Sequence, residues 1–127
     1  MSETPAAHSA TALIIEDDDD IRRLLEMTLQ QAGLQVETAS NGQEGLDRSR
    51  NTAYTMITVD LGLPDMNGFE LVRNLRAWFT GSVVVISARS TESDRQAGIA
   101  AGADLFLTKP FRPRQLREQL ATLLHAS

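Results

Sequence analysis

The sequence predicts a single α/β domain in which five strands alternate with five helices, (βα)5, as a doubly wound parallel sheet. Three observations carry this. Short apolar runs alternate with amphipathic stretches from residue 12 to the C-terminus, without a linker or repeat. Several of those runs are continuously apolar, as strands buried on both faces require. At 127 residues the chain is of ordinary single-domain size and can bury a proper core.

Each element has a local reason. Ala12-Leu13-Ile14-Ile15 is a buried strand that stops at Glu16-Asp17-Asp18-Asp19-Asp20. A helix follows with Ile21, Leu24, Leu25, Leu29 and Ala32 on one face, and Gly33 is its stop. Asp19 is expected to be its N-cap. Gln35 to Ala39 alternates, which suits an edge strand. Asn41-Gly42 punctuates, and Gln43 to Arg50 forms a short helix. Met56-Ile57-Thr58-Val59 runs as a third strand into Asp60, and a loop carrying Gly62, Leu63-Pro64 and Asn67-Gly68 leads to a helix with Phe69, Leu71, Val72, Leu75 and Trp78. Ser82 to Ser87 is the most apolar strand and is expected to be internal. Thr91 to Ala101 is helical by propensity but poor in large apolar residues, so it should be the least anchored helix. Asp104 to Thr108 is the fifth strand. A last helix from about Pro113 presents Leu116, Leu120, Leu123 and Leu124.

A sheet of this kind holds its ligand outside the carboxyl ends of its strands, at the crevice between the first and third. Those two ends carry Glu16-Asp17 and Asp60, and the fourth and fifth end in Ser87 and Lys109. Asp60 alone reads most simply as a turn or cap residue. Three carboxylates, a hydroxyl and an ammonium converging on one rim overturn that reading. Crowded carboxylates raise one another's pKa unless a cation joins them. An oxygen-only set with room for water suits Mg²⁺, with Mn²⁺ a possible substitute. Asp17 and Asp60 are the expected direct ligands, with the Gly62 backbone carbonyl, and Glu16 acts through water. A carboxylate beside such a cation, an ammonium and a hydroxyl can attack phosphorus and hold an acyl phosphate. Ser87 also reads as a helix-initiating serine, and Phe106 first as a core aromatic and second as a switch.

Composition narrows the setting. The net charge of −5 argues against direct nucleic-acid binding or an anionic membrane surface. No cysteine is present, and no apolar run approaches the roughly 20 residues that span a bilayer. Residues 1–11 are small and polar, without the apolar stretch of a signal peptide, and are expected to be a flexible tail before a domain over 12–126. A cytoplasmic location is the expectation. Of the twelve basic residues eleven are arginine, and the one lysine is Lys109. A compact ammonium on a flexible stem does what a guanidinium fork cannot imitate.

These residues resemble the receiver domain of bacterial two-component response regulators over essentially all of residues 11–126. The similarity rests on Leu13 to Asp17 with Arg22 to Leu25, on Ala39 to Glu44, and on Asp60 with Leu63-Pro64-Asp65-Met66-Asn67-Gly68. Ser87-Ala88, Ala101-Gly102-Ala103 and Lys109-Pro110-Phe111 complete it. The resemblance implies a flavodoxin-like strand order 2-1-3-4-5 and phosphoryl transfer to Asp60 from a sensor histidine kinase or a histidine phosphotransfer protein. It also implies a cis Lys109-Pro110 bond. Ser87, Lys109 and Phe106 become the phosphoryl-binding and switch residues, acting on an output partner through the fourth helix, fifth strand and fifth helix. Gly62 and Arg89 occupy positions where acyl-phosphate lifetime is tuned, and Arg89 is expected to reach over the phosphoryl group. Leu105 and Gln119 depart from the charged residues of one large dimerising subfamily, so a homodimer through that face is unsupported.

Three rivals fall away on particular residues. A phosphatase of the haloacid dehalogenase type needs an Asp two residues after its nucleophile, where this chain has Gly62; no turnover of external substrates is expected. A flavin protein needs a phosphate-cradling loop after its first strand, where this chain has a run of aspartates. A degenerate receiver acting only as a docking module would lack one of the five site residues, and none is missing.

Overall fold

The computed structural model describes residues 10–88 and 91–125. Five strands, β1 (Thr11–Ile15), β2 (Gln35–Ala39), β3 (Met56–Asp60), β4 (Ser82–Ser87) and β5 (Leu105–Thr108), alternate with five helices. The helices are α1 (Asp19–Gln31), α2 (Gly42–Asn51), α3 (Gly68–Leu75), α4 (Glu92–Ala101) and α5 (Pro113–His125). The strands are all parallel, in the order β2-β1-β3-β4-β5. This is the predicted architecture, with β2 at an edge and the most apolar strand, β4, inside.

The sheet deals its residues alternately to two cores, because successive side chains on a strand point to opposite faces. Leu13 and Ile15 of β1, Ile57 and Val59 of β3, and Val83 and Val85 of β4 meet Leu46 of α2 and Leu71, Val72 and Leu75 of α3. Ile14, Met56, Val84 and Ile86 go the other way, onto Leu25 and Leu29 of α1 and Leu116 and Leu120 of α5. Continuous apolar runs are thus read correctly as strands covered twice. Thr58 is the exception, with Ile14 and Val84 as its register neighbours. Its Oγ1 is buried without a hydrogen-bond partner.

Helix ends follow local chemistry, with two corrections. Asp18, not Asp19, caps α1: its Oδ1 accepts the Ile21 amide at 3.0 Å, while Asp19 already lies in the first turn. The cap must keep an extended backbone, and Asp18 does (φ −80°, ψ 120°). α3 ends at Leu75, so Trp78 lies beyond it, its Nε1 donating to Ser49 Oγ at 3.0 Å and its ring beneath Arg50. Asn41, Asn67 and Thr91 cap α2, α3 and α4. Gly33 and Gly102, at φ 96° and 123°, stop α1 and α4 in a conformation that side chains disfavour. α4 buries only Gly98 and Ala101 and leaves Ile99 half exposed, the thin anchoring its sequence suggested.

The sheet also begins earlier than expected. Ala10 and Thr11, assigned to the tail, accept the amides of Gln35 and Thr55 at 2.9 and 2.8 Å. Both amides lie in or beside neighbouring strands, so the ladder draws these two residues in. The rest of the expected tail, residues 1–9, lies outside the described residues, as does Arg89.

Candidate functional site

The parallel ladder continues one bond past each strand end, and this sets the backbone of the site. The Glu16 amide donates to Ala39 O at 3.0 Å, the Leu61 amide to Ile86 O at 3.0 Å, and the Lys109 amide to Ser87 O at 2.8 Å. Glu16, Asp60, Ser87 and Lys109 therefore leave the sheet at one level. Glu16, Asp60 and Ser87 are 1%, 5% and 2% exposed, whereas Asp17 faces solvent. An open cleft of about 310 Å³ is lined by Asp17, Asp18, Asp60, Leu61, Gly62, Ser87, Ala88 and Lys109. The Lys109-Pro110 bond is cis, as the resemblance implied.

Charge in the cleft is unevenly shared. Lys109 Nζ stands 3.3 Å from Glu16 Oε1 and 3.5 Å from Asp60 Oδ1, so one ammonium serves two buried carboxylates. Asp60 Oδ1 also accepts the Gly62 amide at 3.0 Å. Glu16 Oε2 accepts the Asp18 amide at 3.1 Å, while Glu16 Oε1, fully buried, faces the shared ammonium at 3.3 Å. Burial, and next a hydrogen bond shared with Asp60, push the Glu16 carboxyl up to about 8, against the pull of the Asp18 amide.

One carboxylate oxygen each from Glu16, Asp17 and Asp60 lies within 4.8 Å of the other two. With carboxylate oxygens alone and no nitrogen or sulfur among them, this set fits a hard divalent cation. A Cβ built on Gly62 would stand 3.7 and 3.9 Å from the two Asp60 carboxylate oxygens. Position 62 thus overlooks Asp60, and a glycine there leaves the approach open. Phe106 is 3% exposed and packs into the core, its ring against Gly98 and under the Arg95 guanidinium, 5.5 Å from the ring centre. In this structure Phe106 is a core aromatic.

Two polar features escaped the sequence. Asp65 lies in the β3–α3 loop, yet its carboxylate accepts the Gly42 and Gln43 amides of α2 at 2.8 and 2.9 Å. Those bonds, the Gly42 amide foremost, hold its pKa below the usual carboxylate range. The only sequence signal would have been the two first-turn amides of α2 that Asn41 does not reach. Arg22 Nη1 donates to Glu16 O at 3.0 Å, so the first turn of α1 braces the site backbone.

With this geometry in place, comparison with known proteins is informative. Residues 12–121 match the response regulator receiver domain family. The KDP operon transcriptional regulatory protein KdpE of Escherichia coli (strain K12) is 44% identical over 112 residues, 88% of this chain and 50% of that protein. The transcriptional regulatory protein SrrA of Staphylococcus aureus (strain NCTC 8325 / PS 47) is 37% identical over 112 residues, 88% of this chain and 46% of its own. The chain spans about half the length of these curated relatives. Among solved structures, the chemotaxis protein CheY4 of Vibrio cholerae shares 32% identity with a TM-score of 0.84, covering 91% of this chain and 98% of that one. The BeF3-activated DrrB receiver domain shares 28% identity, again at a TM-score of 0.84, covering 92% and 98%. In sequence and in fold alike, the chain belongs to the receiver domains of bacterial two-component response regulators.

Proposed function

We propose that Asp60 is the phosphoacceptor. A carboxylate oxygen of Asp60 attacks phosphorus, the P–N bond of a phosphohistidine breaks, and the imidazole leaves with the bond's electron pair and gains a proton. The donor is a sensor histidine kinase or a histidine phosphotransfer protein, in the cytoplasm, and small acyl phosphates serve as well. The chain turns over no external substrate. The observation that carries this reading is the pair of distances from Lys109 Nζ to Glu16 and Asp60, 3.3 and 3.5 Å, at the mouth of an open cleft. Lys109 neutralises charge arriving on the phosphoryl oxygens, and the Ser87 hydroxyl donates to one of them.

Asp17, Asp60 and the Gly62 carbonyl would hold Mg²⁺ directly, with Glu16 acting through water; Mn²⁺ would replace it. The bound cation supplies electrostatic stabilisation of the transferring group. Acyl-phosphate lifetime is set from positions 62 and 89, and the closeness of position 62 to the Asp60 oxygens supports this for Gly62. The signal leaves through α4, β5 and α5, with Phe106 as the switch residue, to an output domain or protein partner. The thin burial of α4 supports that route. The domain itself contacts neither nucleic acid nor membrane, and among the described residues no helix is long and apolar enough to cross a bilayer.

The test is Mg²⁺-dependent labelling with radioactive acetyl phosphate, run on the chain and on Asp60→Asn. Labelling that needs the cation and vanishes in the variant is expected. Undiminished label in Asp60→Asn sinks the assignment. Arg89→Ala is expected to shorten the life of the label, and an unchanged decay rate removes Arg89 from that role.

A further inference from the structure

Asp65 makes an unusual pair of bonds: it closes the N-terminus of a helix that its own loop does not lead into. The first three amides of α2 belong to Gly42, Gln43 and Glu44. Asn41 Oδ1, the helix's own cap, takes the third at 2.8 Å. Asp65 takes the first two, one on each carboxylate oxygen, from 22 and 23 residues away. Beside them Met66 lies on Gly42 so closely that a Cβ there would come within 2.5 Å of its Cγ. The middle of the β3–α3 loop is thereby clamped to α2.

The other fixings of that loop show what the clamp completes. Leu61 and Leu63 are buried, at 7% and 8% exposure, and the Leu61 amide is tied to Ile86 O. At the far end Asn67 Oδ1 accepts the amides of Phe69 and Glu70, at 2.8 and 3.3 Å. Gly68 sits against Leu61, where a Cβ would fall 2.6 Å from the Leu61 Cα, so the loop folds back on its own start. Between these fixings Gly62 is exposed, and its amide holds Asp60 Oδ1 at 3.0 Å. The buried Leu61 and Leu63 flank the Gly62 peptide, and beyond Leu63 the exposed outer half of the loop needs an anchor of its own. Asp65 is that anchor.

We propose that Asp65 is a positioning residue for the phosphoacceptor site, holding the Gly62 peptide in place by docking the β3–α3 loop on the N-terminus of α2. Its effect on cation binding rests on the reading of Gly62 as a cation ligand; its effect on the Gly62 amide does not. Groups that orient metal ligands from behind typically change affinity by about 10-fold or more when removed.

Two measurements on the full chain decide it, with Asn41→Ala as the control that weakens the same helix end without freeing the loop. Mn²⁺ affinity is read by electron paramagnetic resonance, and exchange of the Gly62 amide by NMR without added cation. Asp65→Ala is expected to weaken Mn²⁺ binding by about 10-fold and to speed Gly62 exchange by a similar factor. Asp65→Asn, which keeps one acceptor oxygen, should fall between. Asn41→Ala should lower thermal stability and leave both readouts unchanged. The positioning role is overturned if Asp65→Ala leaves Gly62 exchange unchanged, or if Asn41→Ala speeds it equally. Should the unaltered chain bind no Mn²⁺, the cation site of the proposed function fails, and Gly62 exchange still decides the clamp.

Discussion

The two ends of the sheet treat charge in opposite ways. At the amino ends of β4 and β5, Arg76 donates from Nε to Gly102 O at 2.8 Å and from Nη1 to Gly81 O at 2.7 Å and Phe79 O at 3.2 Å. Its Nη2 donates to Asp104 Oδ2 at 2.7 Å, and that oxygen also accepts the Val83 amide at 2.8 Å. One guanidinium thus joins the end of α3, the start of β4 and the end of α4, and its charge is answered on the spot. At the carboxyl ends one ammonium is divided between two buried carboxylates. The first arrangement ties three elements of the folded chain together. The second leaves electrostatic demand for something that arrives from outside, which is how a site differs from a scaffold.

The contrast can be broken most forcefully with pH. The folded Glu16 carboxyl is raised to about 8, so between its ordinary range and that value the folded chain holds a proton that the unfolded chain has lost. Stability of the chelator-treated protein should therefore fall as pH rises from about 5 to 8, by roughly 5–10 °C in melting temperature. Glu16→Gln should flatten that slope. A melting temperature that rises over this window would show that the carboxyl end is not strained. At the other end, Arg76→Ala should cost about 2 kcal/mol in urea unfolding, since carbonyls at Gly81 and Gly102 lose their donor; the part-exposed Asp104 pair adds little. The affinity proposed for a divalent cation should not follow, and if it does the two ends are coupled. The smallest effect belongs between them. Thr58→Val replaces an unpaired buried hydroxyl by a methyl group and should stabilise the chain by about 1 kcal/mol. A loss of stability there would mean that Thr58 Oγ1 finds a partner in solution.

How much of this was legible depends on the range over which each feature is encoded. The strands could be read because Leu13-Ile14-Ile15 and Val83-Val84-Val85-Ile86 leave no polar face. The rim could be read because strand ends in a parallel sheet must gather at one side, which brought Glu16, Asp17, Asp60, Ser87 and Lys109 together before any contact was known. Local competition blurred smaller features. Any of three adjacent aspartates could cap α1, and only the backbone angle selects Asp18. Trp78 continues the spacing of the α3 stripe, but that helix stops at Leu75 and the indole finds Ser49 of α2 instead. Nothing local marks the Asp65 clamp, 22 and 23 residues from its partners, or the reach of Arg76 to Gly102 and Asp104, 26 and 28 residues away.

The alternation of β3 between two cores limits how such a chain can change. Adding one residue between Ile57 and Val59 would send Val59 to the wrong layer and turn the Asp60 carboxylate from the cleft towards a hydrocarbon interior. Lengthening the helices or the far-side connections costs the chain little, but strand lengths are a fixed measure, kept by the need to deliver one acid to one rim.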